Sequence, residues 1–149
     1  MSVSLTLRSL QRGSLLSFRR ASLTGFRALH ATPRRSELYP NADLATFSKV
    51  VGTQDRLVLV DFYADWCGPC RQLSPILEKF STDASIKSGS ELPIDVVKIN
   101  TENETVLPLV QQFKVHALPT VIAFRNGEPV DNFVGMRNEA GLKRFLETV

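Results

Sequence analysis

From Glu37 onward the chain alternates two kinds of apolar spacing. Leu44, Phe47, Val50 and Val51 recur at helical intervals, behind Asn41 and Asp43, either of which serves as an N-cap. Residues 57–60 are a continuous β-favouring run that leads into Asp61-Phe62-Tyr63, the pattern of a strand buried on both faces. The helical period returns at Leu73, Ile76, Leu77 and Phe80, and Pro75 inside this stretch predicts a kink. Residues 81–93 are polar and read as a connection. Residues 94–99 predict the next strand, and 106–113 a short helix with Pro108 near its start. Two further runs, 121–124 and 130–134, flank Asn126-Gly127 as a hairpin does. Leu142, Phe145, Leu146 and Val149 form the apolar face of a last helix beginning near Asn138. The order β-α-β followed by β-β-α predicts an α/β fold, with a mixed sheet flanked by helices.

The first 36 residues follow a different rule. They hold seven arginines (Arg8, Arg12, Arg19, Arg20, Arg27, Arg34 and Arg35), no lysine and no acid. Val3, Leu7, Leu10 and Phe18 share one side of a helical wheel, with Arg8, Arg12 and Arg19 roughly opposite. Leu5, Leu15 and Leu16 fall on or near the basic side, so the amphipathicity is imperfect. Arginines break every apolar run of secretory-signal length, and Ser-, Leu- and Arg-rich, acid-free composition is that of a mitochondrial presequence. A chloroplast transit peptide shares part of that composition, and a chain retained in the cytoplasm is another alternative. A permanent basic arm binding nucleic acid is disfavoured, because the stretch lacks lysine and has no interleaved aromatics beyond Phe18 and Phe26. Arg35-Ser36 resembles the arginine-at-minus-two processing pattern, and Arg27, Leu29 and Thr32 resemble the two-step octapeptide pattern ending at the same place. The expected division is therefore a targeting presequence, 1–36, and a working domain, 37–149.

Composition changes meaning once the chain is split there. The whole chain has a formal charge of +3, but eleven of its eighteen bases and all fifteen acids lie after Ser36, a net of −4. The basic character belongs to the address, and nothing in the acidic domain predicts a nucleic-acid partner. No apolar run reaches the length of a membrane span, so membrane contact is expected only through the presequence during import.

The two cysteines, Cys67 and Cys70, form one Cys-x-x-Cys between a buried strand and a helix. That context places Cys67 at a helix N-terminus, where unpaired N–H groups and the macrodipole favour a thiolate, the attacking species. Cys70, one turn on, is placed to attack the sulfur of Cys67 in a mixed disulfide. Gly68 and Pro69 allow and stiffen the tight turn between them. A structural disulfide, half of a zinc site and two inert thiols are the competing assignments. Zinc would need two further ligands, and His30 and His116 are the only histidines. His116 reads as a solvated loop residue.

Val60-Asp61-Phe62-Tyr63-Ala64-Asp65-Trp66-Cys67-Gly68-Pro69-Cys70 resembles the active-site segment of the thioredoxin family. The resemblance runs on through Lys98-Ile99-Asn100, Leu118-Pro119-Thr120, Asn126-Gly127 and Val134-Gly135, nearly all of 37–149. It implies the thioredoxin fold, with Cys67 as nucleophile and Cys70 as resolving cysteine of a redox-active disulfide. It makes Asp61 a buried carboxyl beneath the site that exchanges a proton with Cys70, and Lys98 its partner. Pro119 matches a cis-proline facing the disulfide, and Trp66, Ala117, Leu118, Val134 and Gly135 match an apolar rim that contacts protein substrates. The Gly-Pro pair resembles a reducing thioredoxin more than an oxidising isomerase.

The resemblance also implies a monomer with no bound cofactor or metal. Its electrons would come from NADPH through a thioredoxin reductase and go to disulfide clients such as peroxiredoxins. The alternative is a thioredoxin-fold binding module with incidental redox activity. Tyr63 stands where the family commonly has Trp, Asn100-Thr101-Glu102 departs from the usual Asp, and a first strand near residues 37–39 would be an edge remnant cut short by Pro40.

Overall fold

The computed structural model describes residues 35–149. The expected presequence helix lies outside the described residues. The elements are β1 (Leu38–Tyr39), α1 (Leu44–Val51), β2 (Leu57–Tyr63), α2 (Gly68–Thr82), β3 (Ile94–Asn100), a 3-10 turn (Glu104–Val106), α3 (Leu107–Gln112), β4 (Thr120–Arg125), β5 (Glu128–Val134) and α4 (Glu139–Thr148). Every element read from the sequence after Glu37 is present. The boundaries move slightly: α2 continues past Phe80 to Thr82, and the helix expected over 106–113 divides into the 3-10 turn and α3. Asp43 is the N-cap of α1, its carboxylate accepting from the Thr46 N–H at 2.8 Å. Helix α2 is assigned continuously through Pro75, which leaves the Arg71 carbonyl without its usual helical donor.

The five strands lie in the order β1-β3-β2-β4-β5. β1, β3 and β2 are parallel; β4 runs antiparallel to β2, and β5 antiparallel to β4. The sheet is mixed because the β2–α2–β3 crossover returns the chain in the same direction, whereas the Asn126-Gly127 turn reverses it. Both turn residues have positive φ, 52° and 89°, as a two-residue hairpin turn of matching twist requires.

Strand β2 is the centre, and its alternation sorts the core. Leu57 and Leu59 pack with Leu73, Leu77 and Phe80 of α2 and Leu142, Phe145 and Leu146 of α4. Val58, Val60 and Phe62 point the other way, among Phe47, Val50 and Val51 of α1 and Leu109 of α3. Leu73, Leu77 and Phe80 are fully enclosed, and each such burial is worth about 2 kcal/mol. Helices on both faces explain why 57–60 carries no polar alternation. β1 is the short edge strand expected, joined to β3 by Leu38 opposite Val96 and Tyr39 opposite Val97.

Candidate active site

The site forms where β2 ends and α2 begins, at the carboxyl end of the parallel strands. Cys67 is the N-cap of α2 in extended conformation, and its Sγ accepts from the Cys70 N–H at 3.2 Å. The capping position that serine or aspartate occupies in other helices is held here by sulfur, so negative charge on that sulfur faces the unpaired N–H groups of the first turn. Cys67 and Cys70 are joined in a disulfide with a Cα–Cα separation of 5.3 Å. Both are buried, packed with Ala64 and against Tyr63 and Leu118. Pro69 lies in the first turn, where a missing N–H costs nothing. Gly68 is outside the positive-φ region, and a Cβ there would meet nothing within 4 Å, so neither backbone nor space demands glycine.

The loop carrying Leu118 packs against the disulfide and is tied to the loop after β5. The Leu118–Pro119 peptide bond is cis, and Pro119 is buried. The Pro119 carbonyl accepts from the Gly135 N–H at 2.8 Å, and the Thr120 hydroxyl donates to the Ala117 carbonyl at 2.7 Å. Gly135 has φ of 88°, a conformation side chains disfavour, which fits glycine to this junction. Trp66, adjacent to Cys67 in the chain, is 69% exposed, and Val134, opposite Thr120 in the β4–β5 register, is 60% exposed, both large apolar surfaces left bare. Trp66, Ala117 and Leu118 line an open groove of about 360 Å³ with Thr101, Val110, Val115 and His116. Sequence reasoning placed Trp66, Ala117 and Leu118 there. It missed Val110, Val115 and Thr101, and the only available signal was the apolar pair flanking the end of the 106–113 helix. His116 is exposed, as expected, but it borders this groove. Among the described residues no cluster of His, Cys, Asp or Glu is arranged to hold a metal ion.

Asp61 lies on β2 with no exposed surface, and neither carboxyl oxygen has a hydrogen-bond partner. Burial pushes its pKa up to about 7, against the pull of the Lys98 charge. Lys98 is directly across from it in the β2–β3 register, but its ammonium is bonded to Glu78 of α2 at 3.1 Å. The same ammonium lies 5.1 Å from the centre of the Tyr63 ring. Lys98 thus acts on Asp61 through its field and not through a hydrogen bond. Glu78 went unrecognised in the sequence, since nothing in a lone helical glutamate marks it. Tyr63, where the family commonly has Trp, donates its hydroxyl to the Asn41 side chain. Burial is the main cause of the raised pKa of that hydroxyl, with Asp65 and Asp61 adding to it.

The thioredoxin family profile matches residues 40–148. Thioredoxin of Mycobacterium bovis is 36% identical over 105 residues, 70% of this chain and 84% of its own. Mitochondrial thioredoxin of Rattus norvegicus is 36% identical over 121 residues, 81% of this chain and 68% of its own. The chloroplastic thioredoxin Y1 of Arabidopsis thaliana is 41% identical over 116 residues, 78% of this chain and 62% of its own. Among solved structures, a mutant thioredoxin from Halobacterium salinarum matches with a TM-score of 0.61 and 32% identity, over 79% of this chain and 93% of that one. With a redox-active cysteine pair at the head of α2 and the family profile over most of its length, the chain belongs to the thioredoxin family and is a dithiol–disulfide oxidoreductase of the protein-disulfide reductase kind.

Proposed function

We propose that residues 1–36 direct the chain to the mitochondrial matrix and are removed after Ser36, and that residues 37–149 work there as a monomeric reductant of client disulfides. The observation that carries the address is the charge partition, seven arginines without an acid before Glu37 and a net of −4 after it. A segment of that kind is drawn to anionic membrane surfaces and along a potential that is negative inside. A cut after Ser36 keeps β1, which begins at Leu38, and the Glu37 carbonyl that accepts from the Val96 N–H at 2.9 Å. It gives up two bonds, from the Arg56 guanidinium to the Arg35 carbonyl at 2.9 Å and from the Ile94 N–H to the Ser36 hydroxyl at 3.3 Å. The mitochondrial relative in rat agrees with this reading. The chloroplastic relative in Arabidopsis favours a second one, import into a plastid.

In the reductive cycle Cys67, as thiolate, attacks one sulfur of the client disulfide. A Cys67–client bond forms, and the other client sulfur leaves as thiolate. Cys70 then loses its proton, Asp61 being the acceptor, and attacks the Cys67 sulfur. The second client thiol departs and the Cys67–Cys70 disulfide remains, so two electrons have passed to the client. An acceptor that titrates near neutrality suits a proton that must be taken up and returned in each cycle. The groove beside Trp66 and the bare Val134 give an extended client segment an apolar seat next to the sulfurs. No bound cofactor is needed, because both electrons reside on sulfur; NADPH supplies them through a thioredoxin reductase, and peroxiredoxins are clients of suitable chemistry.

The test joins cell fractionation to single-cysteine variants. A mature chain beginning at Glu37 in the mitochondrial fraction is expected, and an intact Met1 in the functional form overturns the address. Cys67→Ser is expected to abolish insulin-disulfide reduction, and Cys70→Ser to accumulate mixed disulfides with clients. Undiminished reduction by Cys67→Ser overturns the mechanism.

A further inference from the structure

Lys98 faces Asp61 across two parallel strands, about 4.8 Å apart along the hydrogen-bonding direction, and its four-carbon stem gives its ammonium ample reach. Asp61 is a buried carboxyl without a hydrogen-bond partner, and the Lys98 charge acts on it across the strands. The ammonium is nevertheless drawn away to Glu78, over the Tyr63 ring, while both Asp61 oxygens stay without a partner. Glu78 is half exposed at 44%, Lys98 only 13%, so the pair sits at the margin of the core and Asp61 inside it.

We propose that Glu78 is a positioning residue: by holding the Lys98 ammonium it keeps that cation from closing on Asp61 and preserves the carboxyl as an uncommitted proton acceptor. On the neighbouring strands β3 sets Lys98 across from Asp61 and β4 the apolar Val121, Tyr63 lies further along its own strand, and Glu78 of helix α2 enters through its bond to Lys98. Of these, Lys98 carries the charge that opposes the effect of burial on Asp61. Freed from Glu78, the ammonium would move inward and favour the carboxylate, and Asp61 would give up its proton at lower pH. Glu78 touches no reacting atom and acts only through Lys98. The functional half of this statement rests on Asp61 being the proton acceptor; the electrostatic half does not.

The experiment is a titration of the Asp61 carboxyl carbon by NMR in the full chain with the disulfide closed. It compares wild type, Glu78→Gln, Lys98→Met and the double variant. In Glu78→Gln the Asp61 midpoint is expected to fall by about one pH unit. In the Lys98→Met background the same substitution is expected to leave the midpoint in place, because there is no ammonium to release. An unmoved midpoint in the single variant overturns the proposal, and so does an equal fall in both backgrounds, which would assign the effect to the charge of Glu78 itself. Glu78→Asp, which keeps the charge, is expected to restore much of the wild-type midpoint. Proton transfer is judged separately: if Asp61→Asn leaves the rate of Cys70 attack unchanged, the acceptor role fails while the titration result stands.

Discussion

Asp61 and Asp95 lie on neighbouring strands of one sheet, with 0% and 3% of their surfaces exposed, yet their surroundings are opposite. Asp95, near the start of β3, receives two bonds from the Arg56 guanidinium, one to each carboxyl oxygen, and a third from the Glu37 N–H at 2.7 Å. Arg56 is itself only 4% exposed. Asp61, three rungs further along the ladder toward the disulfide, has no hydrogen bond. The first carboxylate is fully satisfied and stitches the start of β3 to the segment ahead of β1. The second is left unsatisfied, and its proton is correspondingly easy to hold near neutral pH. The lower end of the sheet is built for fixity and the upper end for chemistry.

Breaking the lower end should have the largest effect on stability and the least on chemistry. Arg56→Met strands the buried Asp95 charge, and a loss of about 3–5 kcal/mol is expected in chemical denaturation, while reduction rates per folded molecule stay unchanged. Equal losses in stability and rate would dissolve the distinction between the two ends.

The upper end should respond in the opposite sense. Asp61 has a folded pKa of about 7 against 3.8 in the unfolded chain, so between those values the native state binds more protons than the unfolded one. Native stability therefore falls as pH rises through that window, by an amount on the order of 4 kcal/mol, and is highest where Asp61 is protonated. Asp61→Asn is expected to abolish this dependence. It should match wild type most closely near pH 4, gain on it up to pH 8, and slow the Cys70 step roughly tenfold or more. Denaturation curves of the oxidised protein at several pH values, beside single-turnover kinetics, measure both. A variant less stable than wild type at pH 8 would contradict the burial cost.

The smallest effect belongs to Gly68→Ala. Its backbone is not in the positive-φ region and its Cβ meets open space, so a stability change of less than about 1 kcal/mol is expected, in the stabilising direction. A large thermal destabilisation would show that the head of α2 is conformationally strained after all.

How much of this was legible in the sequence follows from how local each signal is. Residues 57–60 announce a doubly buried strand because four apolar β-formers in succession leave no polar face, and Asp61 inherits its burial from that run. The Cys67 cap was readable for the same reason, strand, cysteine and helix being contiguous. The partner expected for Asp61 shows the limit. The resemblance named Lys98 as that partner, and Lys98 does lie across from Asp61 in the β2–β3 register, yet its ammonium goes to Glu78, twenty positions earlier on a helix. The Arg56–Asp95 pair spans 39 positions and left no mark on periodicity. Val110 and Val115 look like core residues in one dimension, and they become groove walls only once α3 packs beside the loop carrying Leu118.

The sequence by itself determined the order and type of the elements, the burial of β2, the dithiol at a helix head and the split in charge between a basic first quarter and an acidic remainder. All of these depend on spacing and charge within a few residues of one another. Tertiary structure alone decided which cation serves which carboxylate, which loop packs against the disulfide, and that Asp61 should go without a partner. Those outcomes are set by competition in space between groups far apart in the chain, where an ångström of reach decides which charge is satisfied and which is left able to carry a proton.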